Sequence, residues 1–196
     1  MSLAYGIQKS PLAQRLAYFI LRLIGWRTHV VRPHASRYVL IGAPHTSNWD
    51  FGLLLLLMAA EQLPIRFMGK DTLFRWPFGP LMRALGGIPV NRRERTNLVD
   101  QVAAIFEGYD SLIIGIAPEG TRKKAVHWKT GFYYIALKAK VPIAMAYLDY
   151  GNRVIGVGTS FMPGGDIQAD FEIIRDFYTG IAGKNPKEQG EITLAG

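Results

Sequence analysis

The chain of 196 residues contains no cysteine, which excludes disulfides, thiol nucleophiles and cysteine-ligated zinc together and leaves the redox compartment open. It also lacks an apolar run of spanning length: the most hydrophobic stretch, residues 51–60, is half of the roughly 20 residues that a transmembrane helix needs. The N-terminus lacks the profile of a cleaved signal, because Lys9 precedes an apolar stretch that Arg15 and Arg22 interrupt and no small-residue cleavage site follows. The segment is therefore expected to be retained. Negative charge is missing from the front of the chain. Residues 1–49 carry Lys9, Arg15, Arg22, Arg27, Arg32 and Arg37 without one acid, whereas from Asp166 onward six acids face three bases. Within a net charge of +8, such a basic front end attracts an anion: nucleic acid, an acidic bilayer surface or a phosphorylated small molecule.

Several reactive motifs are absent as well. There is no G-x-S-x-G nucleophile elbow and no G-x-x-x-x-G-K-[ST] phosphate loop, and the Gly156-x-Gly158 pair ends in Phe161, so it is not a dinucleotide fingerprint. His29, His34, His45 and His127 show no paired ligand spacing, so no metal is expected. No basic stripe carries interleaved aromatics, which argues against a nucleic-acid partner despite the clusters Arg92-Arg93 and Arg122-Lys123-Lys124.

What is present suits one folded domain. With 49% hydrophobic and 19% charged residues the chain can fill a sizeable core. Residues 10–26 read as a helix with Leu12, Leu16, Phe19, Ile20, Leu23 and Ile24 on a broad apolar face and Arg15 and Arg22 on the other. That pattern fits either a helix packed on the core or one lying on a bilayer, and both can hold in part. Strands are expected over 36–42, 65–69, 86–92, 111–117, 142–149 and 153–160. Helices are expected over 49–62, from 98 to 106 with Thr96 or Asn97 as cap, over 130–140 and from 167 to 181. Residues 73–85 read as a helix broken by Pro77, Gly79 and Pro80, and the tail from Lys184 as loose. Alternating strands and helices predict a single α/β layered domain, with a mixed, largely parallel sheet flanked by helices and an N-terminal amphipathic helix.

His45 and Asp50 are candidates for chemistry. Five positions apart on one regular helix they would point about 140° away from each other. With His45 in the turn after a strand and Asp50 in the first turn of the next helix, the chain folds back and the side chains can meet. A carboxylate on one imidazole nitrogen fixes the tautomer and leaves the other nitrogen to take a proton from a hydroxyl, as in a triad without its serine. Two further segments end expected strands: Gly86-Gly87-Ile88-Pro89-Val90-Asn91-Arg92 and Pro118-Glu119-Gly120-Thr121-Arg122. Glycines let backbone amides approach a ligand and arginine binds phosphate in a bidentate fork, so together they describe an anion site with Lys70 and Lys129 at its rim.

The succession HTSNWD, GGIPVNR, PEGTR and VPI at Val141 to Ile143 resembles the four blocks of the glycerolipid acyltransferase superfamily, the 1-acylglycerol-3-phosphate acyltransferase-like proteins, over roughly residues 38–148. The stretch FMGKDTLFRWPFGPLMRALGGIPVNR is similar to that family's segment between its first two blocks. The resemblance implies that His45 is a general base, Asp50 its orienting carboxylate, and Ser47 a member of the first block. It places Arg92 and the run Glu119, Gly120, Thr121 and Arg122 at the acceptor site. Backbone amides near Gly87 and Ile88 would stabilise the oxyanion. Ala117 stands where the family often has an aromatic and Asn91 where it often has an acid, and the chain is short for the group, which leaves acceptor identity open.

The implied reaction moves an acyl group from a thioester, on coenzyme A or acyl carrier protein, to a hydroxyl of a lysophospholipid, with no cofactor beyond the co-substrate. The implied setting is peripheral, at the cytoplasmic face of a membrane, with residues 1–27 as membrane-associating helix and 28–196 as acyltransferase domain. The alternatives are another lyso-lipid acceptor or a non-catalytic lipid binder on the same fold.

Overall fold

A computed structural model describes residues 10–90 and 98–194. The first helix, α1 (Pro11–Leu23), starts where Ser10 Oγ accepts the Ala13 amide and stops short of residue 26. Gly25 takes φ +74° there and Trp26 turns inward to 9% exposure. The remaining elements are β1 (Arg27–Val30), β2 (Arg37–Ala43), α2 (Trp49–Ala60), β3 (Ile65–Lys70), α3 (Gly79–Ala84), β4 (Ile88–Val90), α4 (Leu98–Glu107), β5 (Leu112–Ile116), α5 (Gly131–Ala139), β6 (Ile143–Asp149), β7 (Val154–Phe161) and α6 (Ile167–Tyr178). The broken helix after β3 is two pieces: a 3-10 turn, Asp71–Phe74, and the short α3. The expected cap of α4 lies outside the described residues.

The strands form one seven-stranded sheet in the order β1-β7-β6-β2-β5-β3-β4. Every neighbouring pair is parallel except β6 with β7. The α/β architecture is thus the expected one. Alternation along the central strands sends side chains into two separate cores. Val39, Ile41, Leu112, Ile114, Ile143 and Met145 face Phe106 of α4, Phe132 of α5 and Phe171 of α6. Tyr38, Leu40, Ile113 and Ala144 face Leu53 and Leu57 of α2 and Leu21 of α1. Sheets buried on both faces need such continuous apolar strands, which is why segments like LIIGI show no polar alternation.

Helix α1 divides its apolar residues. Ala17 and Leu21 are buried against α2, and Gln14 donates to the Ala60 carbonyl at 2.8 Å. Leu12, Leu16, Phe19 and Leu23 remain 55–76% exposed. The core-packing reading of this helix holds for one face, and the other face is exposed and apolar.

Two features depart from the expectations. The sequence offers no sign of strand β1, because it has four residues, lies at the sheet edge and alternates only between exposed and half-buried positions. Nor is the segment after Lys184 loose. Asn185 bonds Thr46 twice, with its amide to Thr46 Oγ1 at 3.1 Å and its Nδ2 to the Thr46 carbonyl at 2.8 Å. Leu194 bridges to Trp128, whose amide donates to the Thr193 carbonyl at 2.9 Å. These anchors are polar and reach 139 positions back in the chain, so apolar periodicity gave no sign of them.

The Gly156-x-Gly158 pair lies within β7, and the sheet explains both glycines. A Cβ at Gly156 would stand 1.8 Å from the His29 carbonyl oxygen on β1, and one at Gly158 would stand 2.3 Å from the ring of Phe177. The first obstacle is backbone and the second a ring edge that can turn. Gly156→Ala is expected to lower unfolding stability by about 1–3 kcal/mol and Gly158→Ala by less. Urea titrations of both variants check this, and an unperturbed Gly156→Ala would mean that the β1–β7 contact is not tight.

Candidate active site

The connection from β2 to α2 covers one face of the sheet, whereas the connection from β5 to α5 covers the other. β2 and β5 are neighbours, so their C-terminal ends mark the point where the connections diverge, the usual place for a ligand in an open α/β sheet. The chain enters it from β2 through the buried Pro44, passes His45 to Asn48 and begins α2 at Trp49. Asp50 falls in the first turn of α2, where a carboxylate is favoured by the helix dipole.

The reversal brings His45 Nδ1 to 3.0 Å from Asp50 Oδ2. The same oxygen accepts the Thr46 amide at 2.9 Å and the Ser47 amide at 2.8 Å. The second oxygen, Oδ1, accepts the Tyr150 hydroxyl at 2.7 Å. Asp50 is 3% exposed. Burial acts to raise its pKa, but the hydrogen bonds from His45, Tyr150 and Ser47 outweigh that and hold the carboxyl below its usual range. An ionised acceptor requires Nδ1 to carry the hydrogen, so the lone pair of the imidazole is on Nε2. The His45 side chain is 29% exposed, against 3% for its partner.

Glu119, in the loop after β5, reaches the same loop from the other side. Its Oε2 accepts the His45 backbone amide at 2.7 Å. The side chain is 6% exposed, and burial pushes its carboxyl up to about 7, with the Asp50 charge adding to the rise and the His45 amide opposing it. Arg122, three residues on, donates from Nη1 to Asn48 Oδ1. That contact sets a guanidinium beside the N-terminal end of α2. Gly120 takes φ +66°, and a Cβ there would stand 2.8 Å from Lys129 Nζ. Thr121 Oγ1 accepts the Lys123 amide at 3.2 Å, and Ser47 Oγ accepts the Trp49 amide at 3.2 Å, so both hydroxyls stabilise their own turns.

The structure thus gathers His45, Ser47, Asp50, Glu119 and Arg122 around one loop. It does not bring Gly87 and Ile88 to them. β4 is three strands from β2, roughly 14 Å at the ordinary strand spacing. The Gly87 amide already donates to the Met82 carbonyl at 2.9 Å, and a Cβ at this position would meet the Phe74 ring at 2.7 Å. Glycine is needed here for that packing. Lys70 is exposed at the end of β3, two strands from β2. Arg92 lies outside the described residues.

Three contributors were not legible as site residues. Tyr150 and Asn185 are 100 and 139 positions from the groups they bond. Lys184 places its ammonium 4.9 Å from the Trp49 ring centroid. Only a turn-forming neighbourhood marked Tyr150 in the sequence, and nothing marked the other two.

The environment of Glu119 has a consequence for stability. Its carboxyl keeps a proton up to about 7 when folded, against an ordinary value of 4.5. The folded state therefore binds more protons than the unfolded chain within that window, and stability falls as pH rises through it. By pH 8 the loss is on the order of 3 kcal/mol. Glu119→Gln, which retains an acceptor for the His45 amide without a charge, is expected to flatten that decline. Denaturant unfolding at pH 5 and pH 8 checks this, and parallel pH dependence in both proteins would be the contrary result.

The chain is similar in fold to the crystal structure of the 1-acyl-sn-glycerophosphate (LPA) acyltransferase from Thermotoga maritima, with a TM-score of 0.57 and 17% identity over 85% of this chain and 76% of that one. No curated protein sequence matches the chain. A family model described as Acyltransferase matches residues 27–148, more than half of the chain, from β1 to the end of β6 and through the loops that carry both His45 and Glu119. The protein is an enzyme of acyl-group transfer and belongs to the acyltransferase family.

Proposed function

We propose that this acyltransferase esterifies a lysophospholipid, 1-acylglycerol-3-phosphate first among the candidates, using acyl-CoA or acyl-acyl carrier protein as donor. The observation that carries the reading is the His45–Asp50 pair at 3.0 Å, with Arg122 tied to Asn48 between its two members in sequence. His45 Nε2 takes the proton of the acceptor hydroxyl as that oxygen attacks the thioester carbonyl. The buried Asp50 carboxylate balances the imidazolium that forms. Collapse of the tetrahedral intermediate breaks the C–S bond, and the imidazolium returns the proton to the thiolate, so that ester and free thiol leave. General-base action of this kind contributes about 10² to 10⁴ in rate.

The acceptor phosphate is assigned to Arg122, because a guanidinium forks onto phosphate oxygens and the N-terminus of α2 favours negative charge; Arg92 joins it on the strength of the resemblance alone. Ser47 and Thr121 shape the two turns, and Gly120 lets Lys129 pass close to the backbone.

The acceptor is a membrane lipid, and α1 offers a way to reach it. No helix among the described residues is long and apolar enough to cross a membrane. Leu12, Leu16, Phe19 and Leu23 instead form an exposed apolar face on a helix held to the domain through Ala17 and Leu21. Residues 1–27 then act as an interfacial anchor on the cytoplasmic face, with residues 28–196 as the acyltransferase domain, and the acid-free front of the chain adds attraction to anionic lipid at about 1 kcal/mol per base near the surface.

Two measurements test this reading. With purified protein, both donor types and a panel of lyso-lipids, His45→Ala is expected to lose about 10² or more in kcat while remaining folded. Arg122→Ala is expected to raise KM for phosphate-bearing acceptors more than for the donor. More than half the wild-type activity in folded His45→Ala would sink the mechanism. In vesicle co-sedimentation, replacing Leu16, Phe19 and Leu23 with serine is expected to weaken binding even at high salt, because apolar insertion is not screened. Sedimentation of that folded variant like wild type would remove α1 as the anchor.

A further inference from the structure

Tyr150 lies one residue beyond the end of β6, outside the segment that the family model covers. Its hydroxyl donates to Asp50 Oδ1 at 2.7 Å. The three other donors to this carboxylate, His45 Nδ1 and the Thr46 and Ser47 amides, all use Oδ2. Among the described hydrogen bonds, the phenol is therefore what fixes the far oxygen of a nearly buried carboxylate. Without it the carboxylate can rotate about its Cβ–Cγ bond and release the imidazole from its 3.0 Å contact.

The phenol is itself held in place. The Tyr150 ring meets Trp26 edge to face at 4.8 Å between centroids, and the Tyr150 amide donates to the Ala182 carbonyl at 2.9 Å. Trp26 follows directly on α1, and its amide donates to the Leu21 carbonyl at 2.8 Å. Three separate segments thus converge to aim one hydroxyl.

We propose that Tyr150 is a positioning residue for acyl transfer: it acts through Asp50, locking the carboxylate plane and setting how strongly the carboxylate supports the imidazolium of His45. The proposal rests on the His45–Asp50 reading above. Burial and the Asp50 carboxylate raise the phenol pKa, so the hydroxyl stays a donor at every pH where the enzyme works. Removing the hydroxyl frees the carboxylate to rotate and loosens its contact with His45, which slows proton transfer without touching either substrate. A fall in kcat with KM unchanged therefore separates this role from one in packing alone.

The experiment is Tyr150→Phe, which retains the ring and its contact with Trp26. Turnover is measured with 1-oleoyl-glycerol-3-phosphate and whichever of palmitoyl-CoA and palmitoyl-acyl carrier protein supports wild-type activity. The kcat is expected to fall about tenfold, the effect of losing a hydrogen bond to a charged group, with both KM values within about twofold of wild type. Replacement of Tyr150 by 3-fluorotyrosine, which retains the hydroxyl, is expected to keep kcat within about twofold of wild type, whereas 4-fluorophenylalanine, which lacks it, serves if the phenylalanine variant does not fold. Wild-type kcat in the variant without the hydroxyl, or a rise in KM without a fall in kcat, overturns the role of Tyr150. Wild-type activity in His45→Ala overturns instead the underlying reading of the pair.

Discussion

Everything about this site depends on one carboxylate being kept ionised where burial alone would protonate it. Asp50 is 3% exposed, and four donors surround its two oxygens. Two are amides of the loop that the carboxylate closes, so the group that orients His45 also fixes the backbone on which His45 sits. Glu119 grips that loop through the His45 amide from the β5 side, and Asn185 holds it through Thr46 from the C-terminal side. The imidazole is left partly exposed on a rigid base, the arrangement that a proton-transferring group needs to meet a hydroxyl brought by a substrate.

The fold produces this convergence by its order of strands. β5 enters the sheet beside β2 although α2, β3 and β4 separate them in the chain, and the connections after β2 and β5 leave toward opposite faces. Loops that diverge in this way mark the usual ligand site of an open α/β sheet. The continuous apolar strands beneath supply stiffness, since both of their faces are packed.

Helix α1 is packed on one side only. One side of it is part of the second core through Ala17 and Leu21, while the other exposes Leu12, Leu16, Phe19 and Leu23. Its last turn leads through Gly25 to Trp26, the ring against which Tyr150 rests. The segment proposed to lie on the bilayer is thus built against the groups that surround Asp50.

The layered α/β class was legible in the sequence, because short apolar runs bounded by turn residues alternate along the chain with helix-length segments. So was the His45–Asp50 pairing, because the five residues between the end of β2 and the start of α2 turn the chain back and let the two side chains meet. The Glu119 to Arg122 loop was legible as a site segment for a similar reason, its glycine and charges following directly on an apolar strand. Only the tertiary structure decided that Glu119 binds the His45 backbone and that Gly87 serves the packing of Phe74. It alone brought Tyr150 and Asn185 to the site and ordered the tail. Those contacts join groups tens to more than a hundred positions apart through single polar atoms. Such bonds leave no periodic trace in a sequence, because the partner that makes a residue useful is supplied by the strand order and not by its neighbours in the chain.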